Sequence, residues 1–266
     1  MVSKIEELRI NGWCLLEDVI PEVEARALYQ RIEDAPTPLD SFGTDETQPG
    51  KKTRAILNYD LSFANYVADS RVMEICEAFL GADMRIMETL YNSDIFAERG
   101  RWHADWPFSQ DENIPGRFPA PYPDICAMIT TLWMVTPFTP ETGGTLVLPG
   151  THKEPRNPTG DIGIDCWQPF PGEVQVSGRP GSVLMLDSRV WHARPVNHSG
   201  ELRSMIRVMY GPWWLNLELW REGSGERSRM VEERGLNWPA IELMPRSVFD
   251  QLPAHVKPLF CHWVAA

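Results

Sequence analysis

No CxxC pair occurs in the chain, and its five cysteines (Cys14, Cys76, Cys126, Cys166 and Cys261) are odd in number and widely scattered. That pattern excludes a disulfide framework and a zinc ribbon, and fits reduced thiols in a cytosol. Long apolar runs are missing too. The opening MVSKIEELRINGW lacks the apolar core of a signal peptide, and the richest apolar stretch, near Cys126–Val135, is far too short to span a bilayer. The expectation is a cytoplasmic protein without a membrane partner. Positive charge is scarce: 25 Lys and Arg stand against 37 Asp and Glu, a net charge of −12. Such a surface repels phosphate backbones, which argues against nucleic acid as a partner. There is no internal repeat and no low-complexity linker. With 43% hydrophobic and 23% charged residues the composition is that of an ordinary globular protein, which excludes disorder, collagen and coiled coil.

Proline and tryptophan, by contrast, are plentiful, with 23 and 11 copies in 266 residues. Prolines interrupt helices and central strands, so many short elements joined by long shaped loops are expected. The chain reads as a single domain, 1–266, with a helical part over about 1–83, a β core over about 84–211 and an extension over about 212–266 packed on that core. In the first part, PEVEARALYQRIED places Val23, Ala27, Leu28 and Ile32 at helical spacing behind Pro21. A second helix, RVMEICEAFL, carries Val72, Ile75, Cys76 and Phe79 on one face, with Ser70 as its N-cap and Gly81 at its exit. From residue 84 the texture changes to short strands: MRIMETLY, CAMITTLWMVT, GTLVLPG, GSVLMLD and SMIRVMYG. No helix-length periodic segment separates them, which argues against βαβ units. The fold class is mainly β with flanking helices: a sandwich, jelly roll or barrel.

The chemistry concentrates in two segments. In RWHADW, His103 and Asp105 are two apart, so on an extended segment both side chains point to one face. His-x-Asp alone is common by chance, and an ordinary polar turn would account for it. In GSVLMLDSRVWHARPVNHSGELRSMIRVMYG, His192 follows a strand and a short turn, and a basic strand begins soon after. Two imidazoles and one carboxylate on one face, with open positions opposite, make the facial triad of non-haem Fe(II) oxygenases. His198, six residues beyond, is a competitor, but it lies in NHSG, a turn composition.

Four segments carry a resemblance to a known family: NSDIF, WHAD at 102–105, TGGTLVLPGTHK at 142–153, and DSRVWH with an arginine eleven residues past its histidine. In this order they resemble the phytanoyl-CoA dioxygenase family of Fe(II)- and 2-oxoglutarate-dependent oxygenases. The resemblance implies a double-stranded β-helix with iron at its mouth, His103, Asp105 and His192 as the ligands, and Fe(II), 2-oxoglutarate and O2 as the reactants beside the substrate. It also implies that Arg203 takes the far carboxylate of 2-oxoglutarate, a role that suits a forked, permanently charged side chain. Arg207 lies on the same strand face, and pattern alone does not separate the two; the family spacing selects Arg203. Asn92 and Trp133 resemble positions that line the co-substrate pocket, although Trp133 is equally readable as core. Gly143, Gly144 and Pro149 read as turn residues, and Asp187 as part of the turn before His192.

The implied activity is hydroxylation of an unactivated carbon in a small molecule, with release of succinate and CO2. Desaturation, epoxidation and ring formation use the same ligands, and a jelly-roll binding protein without catalysis is the alternative from another class. Asp105 argues against halogenation, because a halide needs the position its carboxylate fills. Aromatic segments such as WPFSQDENIPGRFPAPYP and GPWWLNLELW suggest an apolar or cationic substrate. Nothing in the chain demands a CoA thioester.

Overall fold

A computed structural model describes residues 3–36, 50–109, 115–159 and 163–265. Residues 110–114, within the aromatic segment WPFSQDENIPGRFPAPYP, lie outside them. In chain order the strands are β1 (Trp13–Leu16), β2 (Gly50–Arg54), β3 (Arg85–Asp94), β4 (Ile129–Met134), β5 (Leu146–Leu148), β6 (Val174–Gln175), β7 (Val183–Asp187), β8 (Trp191–Ala193) and β9 (Arg203–Gly211). They form a six-stranded sheet, β1-β7-β4-β9-β3-β2, and a three-stranded sheet, β6-β5-β8. Every ladder is antiparallel. This is the expected jelly roll, and all five apolar strand runs read from the sequence are present in it.

Side chains on a strand alternate between faces, so each strand of the large sheet serves two environments. One face packs Tyr91, Trp133, Ile206 and Val208 against a helical layer. That layer holds α1 (Lys4–Asn11), α2 (Glu22–Asp34) and α3 (Ser70–Leu80). The other face turns toward the small sheet, where Leu132, Leu184 and Leu186 pack against Val147 of β5. Toward one end the two sheets part and leave a cavity of about 580 Å³.

Three local expectations are corrected. The N-terminal part is not purely helical, since it supplies both edge strands of the large sheet. β2 reads GKKTR, with no apolar alternation to announce a strand. Its Lys51 is buried and donates from Nζ to the carbonyls of Ile32 and Ala35, each at 2.6 Å, so it caps the C-terminal end of α2. On α2 itself the buried stripe is Ala25, Leu28 and Ile32, while Val23 is 81% exposed. Burial followed the larger apolar stripe of the helix. The cap of α3 is Asp69 rather than Ser70: its carboxylate accepts from the Arg71 amide at 3.0 Å. Gly81 ends that helix as expected, at φ +84°. No helix among the described residues is long and apolar enough to cross a membrane.

Candidate active site

Backbone pairing joins the two sequence segments. His103 and His192 form an antiparallel bridge, with the His103 amide donating to the His192 carbonyl at 3.1 Å and the reverse bond at 3.0 Å. The segment around residue 103 thereby extends the small sheet beyond β8. Two residues on, the Asp105 amide donates to the Ser188 carbonyl at 2.7 Å, which fixes the carboxylate on the same face as both imidazoles. One ligand atom from each of His103, Asp105 and His192 lies within 4.8 Å of the others. Among the described residues this is the one such cluster. His198 is exposed and takes no part in it.

Each side chain of the cluster is oriented from behind. Nδ1 of His103 sits 3.0 Å from the Arg101 carbonyl, and Nδ1 of His192 sits 3.0 Å from the Val190 carbonyl. An Nδ1–H held by a carbonyl fixes the tautomer and leaves Nε2 as the donor atom for a metal. Thr130 on β4 donates to Asp105 Oδ2 at 2.6 Å, leaving Oδ1, 3.5 Å from His192 Nε2, toward the centre. Burial holds His103 neutral, with a pKa pushed down to about 4 and His192 adding to the push. Burial opposes ionisation of Asp105, but the His192 charge and hydrogen bond outweigh it and hold the carboxyl well below its ordinary range. His192 is raised: burial lowers it, and the adjacent Asp105 carboxylate more than compensates. Two nitrogen donors and one ionised oxygen on one side of an open cavity fit a divalent first-row ion with exchangeable positions.

Asn92 and Arg203 line the same cavity. Arg203 is 3% exposed, lies between the rings of Phe96 (4.8 Å) and Phe138 (4.7 Å), and donates from Nη1 to the Gly143 carbonyl at 2.9 Å. Its Nε is buried with no partner, and among the described residues no carboxylate is within ion-pair distance. Burial lowers its pKa to about 10, against the pull of Asp94. A buried guanidinium with an idle donor fits a co-substrate carboxylate. Arg207 differs: it and Arg54 both donate to the buried Glu88.

Trp133 does not join the site. It lies on the opposite face of β4, fully buried, edge-on to Phe63 at 5.2 Å, with its Nε1 donating to Thr131 Oγ1 at 2.9 Å. Its neighbours Thr130 and Leu132 face the cavity instead. β4 is buried on both faces, so its sequence carries no alternation by which to choose the phase. Gly143 does more than turn the chain, because its carbonyl anchors Arg203. Asp187 forms the turn before β8 and pairs with Arg189 at 2.8 Å. Glu88 and Thr130 were not anticipated. A glutamate inside the apolar run MRIMETLY is the signal that a buried partner must exist.

Residues 8–205 match the profile of the family described as phytanoyl-CoA dioxygenase. The chain belongs to the phytanoyl-CoA dioxygenase family. As a member with an intact His-Asp-His cluster it is a non-haem iron, 2-oxoglutarate-dependent oxygenase. An uncharacterized protein of Mycobacterium tuberculosis is 26% identical over 213 residues, covering 77% of this chain and 73% of its own. Dioxygenase af480 of Aspergillus fumigatus is 23% identical over 199 residues, covering 71% and 60%. Among solved structures, HygX of Streptomyces hygroscopicus, with nickel and 2-oxoglutarate bound, superposes with a TM-score of 0.63 over 90% of this chain and 94% of that one, at 17% identity. That likeness carries the phytanoyl-CoA dioxygenase fold, not the substrate.

Proposed function

We propose that this enzyme hydroxylates an unactivated carbon of a small molecule. His103 and His192 would hold iron(II) through Nε2, and Asp105 through Oδ1. Arg203 would receive the far carboxylate of 2-oxoglutarate, with Asn92 beside it. Bound together there, iron(II), 2-oxoglutarate and O2 supply an oxidant able to remove hydrogen from carbon, releasing succinate and CO2. The protein's own part is positional. Thr130 occupies Asp105 Oδ2 and would leave Oδ1 for the metal, the two backbone carbonyls aim the imidazoles, and Phe96 and Phe138 would keep water from a carboxylate held by Arg203. A dry, low-dielectric surround strengthens that pair. The carrying observation is the convergence of the His-Asp-His cluster and the half-satisfied Arg203 on one cavity. HygX and the other neighbours that bind 2-oxoglutarate lend support. A cytoplasmic setting agrees with five free cysteines.

A substrate screen scored by succinate release, with products weighed for the gain of one oxygen atom, tests the reading. Asp105→Gly separates the ligand role from a structural one: it should lose most turnover, and wild-type succinate release from it without added chloride would overturn the ligand set. A mass loss of two hydrogens in the product would replace hydroxylation by desaturation.

A further inference from the structure

The wall around Arg203 continues to the cavity rim through a second arginine. Phe96, just past the end of β3, is buried, and two guanidiniums lie over its ring. That of Arg203 stands 4.8 Å from the ring centroid and that of Arg194 stands 4.6 Å away. With Phe138 at 4.7 Å from Arg203, cation and ring alternate through the series Arg194, Phe96, Arg203, Phe138. Arg203 is the buried cation of the series, and Arg194 is the exposed one. Both line the cavity that holds the His-Asp-His cluster.

Arg194 is seated rather than loose. It follows directly on β8, two residues past His192, and its carbonyl accepts from the Gly100 amide at 2.9 Å. A Cβ at Gly100 would stand 2.5 Å from Arg194 Cγ and 3.1 Å from its Nε. The missing side chain at Gly100 is therefore what lets the arginine stem pass toward Phe96. Among the described residues Arg194 has no ion-pair partner, so its charge is not spent on a carboxylate.

Two like charges on one ring oppose each other. Burial lowers the Arg203 pKa, Asp94 resists that, and Arg194 adds to the lowering. A carboxylate arriving at Arg203 reverses the sign of the interaction, because both cations attract it. The cation–π contact of Arg194 meanwhile favours the Phe96 position that covers Arg203.

We infer that Arg194 is a positioning residue for the co-substrate: it holds Phe96 against Arg203 and adds a second positive charge where the far carboxylate of 2-oxoglutarate docks. The inference rests on the oxygenase reading and deepens it. Selection of a dicarboxylate over a monocarboxylate keto acid then belongs to two arginines, one in contact and one acting through Phe96.

Calorimetric titration into the Mn(II)-loaded protein compares 2-oxoglutarate with 2-oxobutyrate, which keeps the chelating end and lacks the far carboxylate. Arg194→Met retains an unbranched stem and removes the charge, and as an exposed exchange it leaves the core intact. It should weaken 2-oxoglutarate about 3- to 10-fold while 2-oxobutyrate and Mn(II) stay within about twofold. Arg194→Lys keeps a cation and should restore most of the loss. In a Phe96→Leu background the same Arg194→Met exchange should weaken 2-oxoglutarate clearly less, as coupling through the ring requires. Equal losses for the two keto acids, unchanged 2-oxoglutarate affinity in Arg194→Met, or additive losses in the double variant would overturn the inference. The parent reading fails differently: wild type that does not bind 2-oxoglutarate at all would sink the oxygenase reading itself.

Discussion

On β9, Ile206, Val208 and Tyr210 face the helical layer, while Arg203, Met205, Arg207 and Met209 face the cavity. β3 divides the same way, with Tyr91 outward and Glu88, Leu90, Asn92 and Asp94 inward. The outer face is almost wholly apolar, and its few polar groups are tied off, as where Tyr210 donates to the Val67 carbonyl at 2.8 Å. The inner face is crowded with charge, and Arg203 retains an idle donor. One backbone thus carries a packed wall and a reactive wall about a side chain apart. The helical layer holds the strands in register, and that register sets the spacing of the inner charges. Function on one face should therefore be separable from stability on the other.

The largest effect should come from the ligands. His192→Ala and Asp105→Ala should abolish measurable iron binding, a loss beyond the roughly 10–100-fold typical of removing an outer hydrogen-bond partner. His198→Ala should leave iron content unchanged, and the reverse pattern would break the ligand assignment. Next, Arg203→Ala should weaken 2-oxoglutarate by about 30- to several-thousand-fold, the equivalent of about 2–5 kcal/mol for a buried charge pair, with little change in metal affinity. Calorimetry on the Mn(II)-loaded protein measures both. Equal damage from Arg207→Ala would exchange the two arginines.

On the outer face the outcome should invert. Ile206→Ala should cost about 2–5 kcal/mol of stability in urea unfolding while the folded fraction keeps its iron affinity. A drop in iron affinity without loss of stability would contradict the division between the faces. Smaller still, Thr130→Val should lower metal affinity about 10–100-fold by freeing Asp105 Oδ2, and Thr130→Ser should restore it.

The smallest expected effect is a pH dependence. Burial alone would raise the Glu88 carboxyl, but Arg207 and Arg54 outweigh it and it titrates below its ordinary 4.5. A depressed folded pKa gives a stabilisation that is complete above the unfolded value and is lost as pH falls through the folded one. Wild type should therefore lose more stability than Glu88→Gln between about pH 6 and about pH 3. Parallel pH profiles for the two proteins would remove Glu88 from the account.

The sequence by itself determined the strand inventory of the core, since short apolar runs between turn residues leave few alternatives. It also placed the His103 and Asp105 side chains together, because spacing two apart on extended chain gives a common face. The resemblance singled out His192 and Arg203, and the fold brings both to one cavity. Tertiary structure decided the rest. Trp133 went to the helical layer because β4 is buried on both sides and gives no phase. β2 became a strand because an edge of β3 was open and Lys51 had carbonyls to cap, neither of which local sequence records. Arg203 and Arg207 share one strand face and differ only in what reaches them across the sheet: Glu88 for one, an aromatic sandwich and the Gly143 carbonyl for the other. Spacing along a strand fixes which side chains share a face, but the charge that meets them comes from residues dozens of positions away. Only the packed sheets bring those residues within hydrogen-bonding distance.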